Sequence, residues 1–210
     1  AVAIAEYEPA AGEDPRGVRQ PAAWLEYGLD LVDLVMRHVL VTGDGAYAEG
    51  PLYFRYTSQN LLPLWRAWDR LVGGADWPAR GLRLPSLWRH PLLARSLRWQ
   101  LDMTVPDGSL APQDDGNPGR CYYFGAAPDG GQPGYAWRWA NCPAAFDTDG
   151  NVTLAADAIV NFDDRRPAAP PDGSPTAFYV EGGNAVFRSG WDTDAVVAIL
   201  QAEHDTASEF

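Results

Sequence analysis

The residue order predicts an α+β fold in which helices come first and antiparallel strands afterwards. Apolar residues recur at helical spacing between Pro21 and Met103, and the period shortens to that of strands between Ala177 and Gln201. The stretch between is dominated by Gly, Pro, Asp and Asn. Segregated runs of this kind pack as two adjoining units rather than as alternating βαβ layers. Residues 1–20 are expected to form a linker or loop, 21–165 a helical unit, and 166–210 a sheet unit.

The first helix is expected from Pro21, with Leu25, Leu29, Val32, Met36 and Val39 on one face and Glu26, Asp30, Asp33 and Arg37 on the other. Gly43 ends it, and His38 on it is given no role. A second helix should run from about Leu52 to Leu71, with Trp65 and Trp68 among its apolar residues and Pro63 kinking or splitting it. A third helical stretch starts at Pro85, restarts at Pro91, and stops at the turn Pro106-Asp107-Gly108. Short helical pieces fit Trp137 to Phe146 and Leu154 to Phe162. The aromatic runs CYYF and YAWRW make the loops around them packed rather than disordered. The run Asp147 to Asn151 lacks the sixth-place Gly and twelfth-place Glu of a calcium loop and reads as a turn. Strands are expected over Ala177–Val180, Ala185–Ser189 and Ala195–Gln201.

The stretch Gly43 to Asn60, GDGAYAEGPLYFRYTSQN, concentrates the groups that a sugar-binding cleft uses. Its glycines permit tight turns, and Pro51 suits the first position of a helix because its missing N–H is not needed there. Glu49 falls just before that helix, where the partial positive charge of the helix end favours an anion. Tyr53 and Tyr56, three apart, share a helical face, and Arg55, Gln59 and Asn60 supply hydrogen-bond donors. Aromatic residues at a helix start are, taken alone, more often core.

The chain of 210 residues is 46% hydrophobic and 12% aromatic, long enough for one sizeable core or two modest ones. No apolar run reaches the length that crosses a bilayer, so no membrane role is expected. A net charge of −12 argues against a nucleic-acid partner, which needs clustered positive charge. All 16 basic residues are Arg, the side chain that grips carboxylates with a bidentate fork. Cys121 and Cys142 fit either one disulfide or two free thiols. The N-terminus has no basic start followed by a long apolar run, so it is not an intact signal peptide, and both ends read as cut points.

The order of three motifs resembles the heparinase II/III-like polysaccharide lyases: DGAYAEGPLYFRY, then the PDG turn with QDDG (113–116), then FYVEGGNAVFRSGWDTDAVVAIL. The resemblance runs from about Pro21 to Leu200, and GGNAVFRSGWDTDA is its most specific part. It implies a partial α/α toroid followed by the first antiparallel strands of a β-sandwich, with the substrate cleft between them. A complete toroid needs more helices than the three long ones counted, so the chain is expected to be a fragment, inactive alone, of a secreted or periplasmic protein. Ala46 stands where the family frequently has Asn or His. His204 precedes DTASEF without completing a His-x-His-x-Asp pattern.

The activity so implied is β-elimination on an acidic, uronate-containing polysaccharide. The substrate carboxylate must be neutralised and a base must take the adjacent proton, without cofactor or metal. Arg55, Gln59 and Asn60 are candidate neutralisers, and Tyr56, Tyr122 and Tyr123 are candidate bases. Glu49, Tyr53, Asp114 and Asp115 complete the substrate-binding candidates, although Asp114 and Asp115 beside Gly116 also read as a solvated turn. Two alternatives stand beside this reading. In a toroid glycoside hydrolase, Glu49 would pair with Asp114 or Asp115 at about 5–9.5 Å. In a non-catalytic glycan-binding protein the cleft aromatics remain and the chemistry is lost, which Ala46 favours. Arg188 and Trp191 are expected to be structural, Trp191 packing and Arg188 pairing an acid such as Asp192.

Overall fold

The computed structural model describes residues 27, 28, 30, 31, 34, 42–72, 91–114, 116, 133–141, 165 and 168–202. The elements appear in the order expected, as three labelled helices and then a three-stranded antiparallel sheet: α1 (Gly50–Val72), α2 (Pro91–Asp102), α3 (Pro133–Asn141), β1 (Ala177–Tyr179), β2 (Asn184–Arg188) and β3 (Val197–Gln201). Five residues of the expected first helix fall among those described, and all five are helical.

Helix α1 begins where Gly50 takes a positive φ of 79° and Pro51 follows. Pro51, Phe54 and Ser58 are buried, whereas Tyr53, Tyr56 and Asn60 are exposed, so the two sets divide at the helical period. The helix is not split at Pro63, which lies within one continuous run of 23 residues. Proline removes one N–H donor and one hydrogen bond, and the turns on either side carry the helix past it. The side chains of Trp65 and Trp68 lie outside the described residues.

Helix α2 is the centre of the core. Leu93, Leu97, Trp99 and Leu101 are each no more than 1% exposed, which buries a broad face of the helix and leaves Arg95 exposed. Residues 85–90, expected to lead into it, lie outside those described. It ends at Asp102, a turn earlier than expected, because the chain then pairs with itself. Thr104 bridges Leu110, Val105 N–H donates to Ser109 O at 2.8 Å, and Ala111 N–H donates to Met103 O at 2.8 Å. The Pro106-Asp107-Gly108 turn forms the tip, where Asp107 Oδ1 accepts from the N–H and hydroxyl of Ser109 at 2.8 and 2.7 Å.

Helix α3 starts earlier than expected, with Pro133 at its first position. Gly134 lets it approach α2, since a Cβ there would stand 2.7 Å from Leu101 Cδ2. The Tyr135 hydroxyl donates to Leu97 O. Cys121, Cys142, residues 142–164, His38 and His204 lie outside the described residues.

In the sheet, Tyr179 faces Asn184 and Asn184 faces Gln201, which puts Tyr179, Asn184, Val186 and Arg188 on the helix side. Phe178, Phe187 and Leu200 point outward and are 64%, 44% and 59% exposed, so the outer face is apolar and uncovered among the described residues. Phe178 and Phe187 meet edge to face at 5.6 Å on it. The inner face is fastened to α2 through polar groups as well as apolar ones. Trp99 Nε1 donates to Asn184 Oδ1 at 2.9 Å, and the Tyr179 hydroxyl donates to Asp102 Oδ2 at 2.6 Å.

Arg188 does not pair with Asp192. Its Nη2 donates to the carbonyls of Asp102 and Thr104 at 2.6 and 2.7 Å, and its guanidinium lies 4.0 Å from the Trp191 ring centre. The side chain points inward on β2, away from exposed Asp192, and reaches carbonyls that α2 leaves without helical partners.

Candidate functional site

The segment 43–60 lies where the helices meet the sheet, and its two halves do different work. In the loop, Asp44 accepts at both carboxylate oxygens. Oδ1 takes the Thr42 hydroxyl at 2.5 Å and Ala46 N–H at 3.3 Å, while Oδ2 takes Glu181 N–H at 2.8 Å and Gly182 N–H at 3.4 Å. Glu181 Oε2 accepts in return from Gly43 N–H at 2.6 Å. Arg95 of α2 donates to Gly43 O, and Gly45, at φ 99°, lies so close to α2 that a Cβ would meet the Arg95 carbonyl carbon at 2.5 Å. The loop is thus held between α2 and the turn joining β1 to β2.

Tyr47 leaves this loop pointing inward. Its ring meets Phe54 at 5.4 Å, and Phe54 meets Trp99 edge-on at 5.9 Å. The Tyr47 hydroxyl shares a hydrogen bond of 2.8 Å with the Thr57 hydroxyl. Burial pushes this phenol up to about 12; the Thr57 bond works against the rise, and the charge and hydrogen bonding of Glu49 add to it. Glu49 itself is exposed, beside Tyr47 at the mouth of α1.

The helical half presents Tyr53 and Tyr56 outward, at 38% and 62% exposure. Asn60 turns its amide back onto its own helix, donating from Nδ2 to Tyr56 O at 2.8 Å. Arg55 is half-buried and engaged in an interaction of its own. Gln59 lies in α1, but its side chain is outside the described residues, as are Tyr122, Tyr123 and Asp115 altogether.

Asp114 ties the opposite side of the helix mouth to the sheet. Its backbone takes a positive φ of 53°, its Oδ1 accepts from Gln201 Nε2 at 2.8 Å, and its Oδ2 stands 2.5 Å from where a Cβ on Gly50 would be. A carboxylate against the first residue of a 23-residue helix is stabilised by that helix end. Ala46 is 2% exposed, and a Cβ on Gly182 would come within 2.1 Å of the Ala46 Cβ. The alanine is therefore a buried contact between loop and hairpin, and Gly182 has no room for a side chain against it.

Sequence reading alone picked out neither Asp44 nor Glu181, and it treated Tyr47 only as one of several rings. The signal for Asp44 was its position between two glycines in a tight loop. Nothing local pointed to Glu181, whose partner is far away in the chain. Among the described residues, no group of three or more His, Cys, Asp or Glu side chains is arranged to hold a metal ion, and no helix is long and apolar enough to cross a membrane.

No family model matches the chain, and none of the curated proteins does. Solved structures do. One described as a heparinase III gene product aligns with a TM-score of 0.52 at 18% identity, over 88% of this chain and 25% of its own. A second heparinase III structure, with methylated lysines, gives 0.51 at 16% identity, over 88% and 24%. The chain spans about a quarter of the length of those structures and has the fold of that part of heparinase III.

Proposed function

We propose that the chain is part of a polysaccharide lyase that cleaves an acidic, uronate-containing polysaccharide by β-elimination. In this reading its helices belong to an α/α toroid, its sheet opens a β-sandwich, and the cleft lies between them in a secreted or periplasmic protein. The observation that carries the proposal is the shared fold with heparinase III over 88% of the chain. The position of segment 43–60, at the junction of helices and sheet, supports it.

In the reaction a base takes the proton beside the uronate carboxylate. The electron pair forms the ring double bond, and the glycosidic oxygen leaves with a proton. Tyr56 is the base candidate that the described residues present to solvent. Tyr53 offers a ring for stacking against sugar, and Arg55 a cation for the carboxylate. Tyr122 and Tyr123 remain candidate bases on chemistry alone, with Gln59, Asn60 and Asp115 as substrate-binding candidates.

The geometry gives less support to the two other readings. Asp114, one of the two hydrolase partners named for Glu49, already has one oxygen on Gln201 and the other against the helix mouth, and Asp115, the other, lies outside the described residues. Ala46, which favoured a non-catalytic protein, is buried against Gly182 and so has a packing role of its own.

The test is to incubate the full-length protein that contains this chain with heparan, chondroitin and alginate. The expected product carries the ultraviolet absorbance of an unsaturated uronate. Tyr56→Phe should lower turnover by ~10²-fold or more, the size of a lost general base, with little change in stability. New reducing ends without that absorbance would mean hydrolysis, and binding without either product would mean a non-catalytic glycan-binding protein. Either result refutes the proposal.

A further inference from the structure

We infer that Asp44 and Glu181 are positioning residues: their reciprocal clasp sets the loop that carries Tyr47 and Glu49 against the β1–β2 turn and so aligns the mouth of α1. The inference rests on the lyase reading for its catalytic consequence and on geometry alone for the clasp.

Three hydrogen bonds define the clasp. The Asp44 carboxylate accepts the two successive N–H groups of Glu181 and Gly182 at 2.8 and 3.4 Å, and the Glu181 carboxylate accepts Gly43 N–H at 2.6 Å. Each acid therefore binds the backbone of the other's loop. On the far side Arg95 holds Gly43 O, so the loop is fixed from both faces. Below it, Gly182 packs so closely on Ala46 that a Cβ at Gly182 would stand 2.1 Å from the Ala46 Cβ.

The arrangement suits positioning rather than binding. The Asp44 carboxylate spends both oxygens on protein donors, Thr42 and Ala46 at Oδ1 and Glu181 and Gly182 at Oδ2, and Glu181 places Oε2 on Gly43 N–H. What they fix is the next few residues: Gly50 N–H donates to Tyr47 O at 3.0 Å, so the loop passes directly into the first turn of α1. Releasing the loop from the hairpin would let Glu49 and the first turn shift against the sheet. Displacements of about 1 Å in groups that orient a substrate cost up to ~10²-fold in rate.

The experiment compares wild type with Asp44→Ala, Glu181→Ala, Glu181→Gln and Gly43→Ala in the full-length protein. Gly43→Ala breaks the clasp without removing an acid, because its Cβ meets only the end of the Glu181 side chain, at 2.5 Å from Oε2. Amide exchange of Gly43, Glu181 and Gly182 is read residue by residue, and kcat and KM are measured on the uronate polymer that gives product. Exchange should quicken ~10-fold in both alanine variants at the acids and in Gly43→Ala, with kcat falling ~10-fold and KM changing less than about twofold. Glu181→Gln keeps an acceptor oxygen for Gly43 N–H and should retain most of the wild-type kcat and exchange protection.

Unchanged exchange in all variants overturns the clasp. Faster exchange with unchanged kcat overturns the positioning role while leaving the lyase reading intact. Loss of kcat in Glu181→Gln equal to that in Glu181→Ala also overturns it, since the carboxylate charge rather than the hydrogen bond would then be at work. A wild-type protein that gives no unsaturated product refutes the lyase reading and the catalytic consequence with it, and the exchange arm still decides the clasp.

Discussion

Tyr179→Phe removes one hydroxyl from the inner face of the sheet and leaves the ring in place. That hydroxyl donates to Asp102 Oδ2 at 2.6 Å, and both residues are buried, at 7% and 3% exposure. The same oxygen accepts from Arg98 Nε at 2.9 Å, so the variant leaves a buried carboxylate with one of its two side-chain partners. Burial raises the Tyr179 pKa, and the charge and hydrogen bonding of Asp102 raise it further, so the phenol stays a neutral donor at ordinary pH. Burial by itself would lower the Arg98 pKa, but the hydrogen bond and the charge of Asp102, with smaller contributions from Tyr179 and Tyr135, together outweigh it and the value rises, which keeps the guanidinium charged. A hydrogen bond to a charged group contributes ~1.5–3 kcal/mol, and because no ring volume is lost the cavity term is small. The expected loss is therefore about 2 kcal/mol. Urea unfolding at neutral pH, followed by tryptophan fluorescence, reports it: with a slope of ~2 kcal/mol/M the midpoint should fall by about 1 M. Combining the change with Asp102→Asn should cost less than the two losses added, because both act on one network. A midpoint shift under about 0.25 M would refute the claim that this pair fastens the sheet to α2.

Arg188→Met should destabilise by ~2 kcal/mol. It strips the Asp102 and Thr104 carbonyls of a charged donor, a loss only partly offset by removing a cation whose pKa burial, and then Arg138, push down to about 10; an unchanged urea midpoint would contradict it. Alkaline stability should report Tyr47. Its folded pKa of about 12 lies above the unfolded value near 10, so its contribution is complete below pH ~10 and is lost as pH rises to ~12, amounting to ~3 kcal/mol. Wild type should accordingly lose stability more steeply than Tyr47→Phe across that window, and parallel pH profiles would count against a buried phenol. Arg188, with its lowered pKa, acts with the opposite sign above pH ~10, and comparison of the two proteins cancels it. Gly45→Ala should cost ~2 kcal/mol or more, since it places a Cβ 2.5 Å from the Arg95 carbonyl carbon at a φ of 99°; a thermal midpoint like that of wild type would show that the loop does not lie against α2.

The elements with a strong local pattern were legible in the sequence. The three strands appear within two residues of their expected limits, because alternation and the glycine-rich turns between them specify both register and ends. Helix α1 begins where Gly50-Pro51 predicted, and α2 buries the leucine stripe that its spacing announced. What the pattern did not carry were the pairings between distant segments. Arg188 was expected to find a neighbour in sequence, and it found carbonyls at the end of α2 instead. Asp44 and Glu181 stand 137 residues apart, and nothing in the composition of either turn marks the other as its partner. Pro63, expected to kink or split the helix, does not split it, since the run of 23 residues continues past it.

Segment 43–60 is read either as helix-start aromatics belonging to the core or as the lining of a cleft, and the helical period divides its rings between core and surface. Tyr47 and Phe54 are core: they stack in series onto Trp99, which is in turn hydrogen-bonded to Asn184 of β2. Tyr53 and Tyr56 occupy the other face of the same helix and reach solvent. A helix whose inner face is locked by edge-on aromatic packing has little freedom to rotate, so the inner residues determine where the outer ones point. The same logic applies to the loop, where two carboxylates and a close Ala46–Gly182 contact leave little room for sliding. The outward tyrosines are therefore held by groups buried on the other face of the helix and in the loop. On the proposed reading, Phe54→Leu should therefore weaken polysaccharide binding, read by calorimetry, as well as lower the urea midpoint, whereas changes on the outer face should leave the midpoint nearly untouched; unchanged binding would count against this coupling.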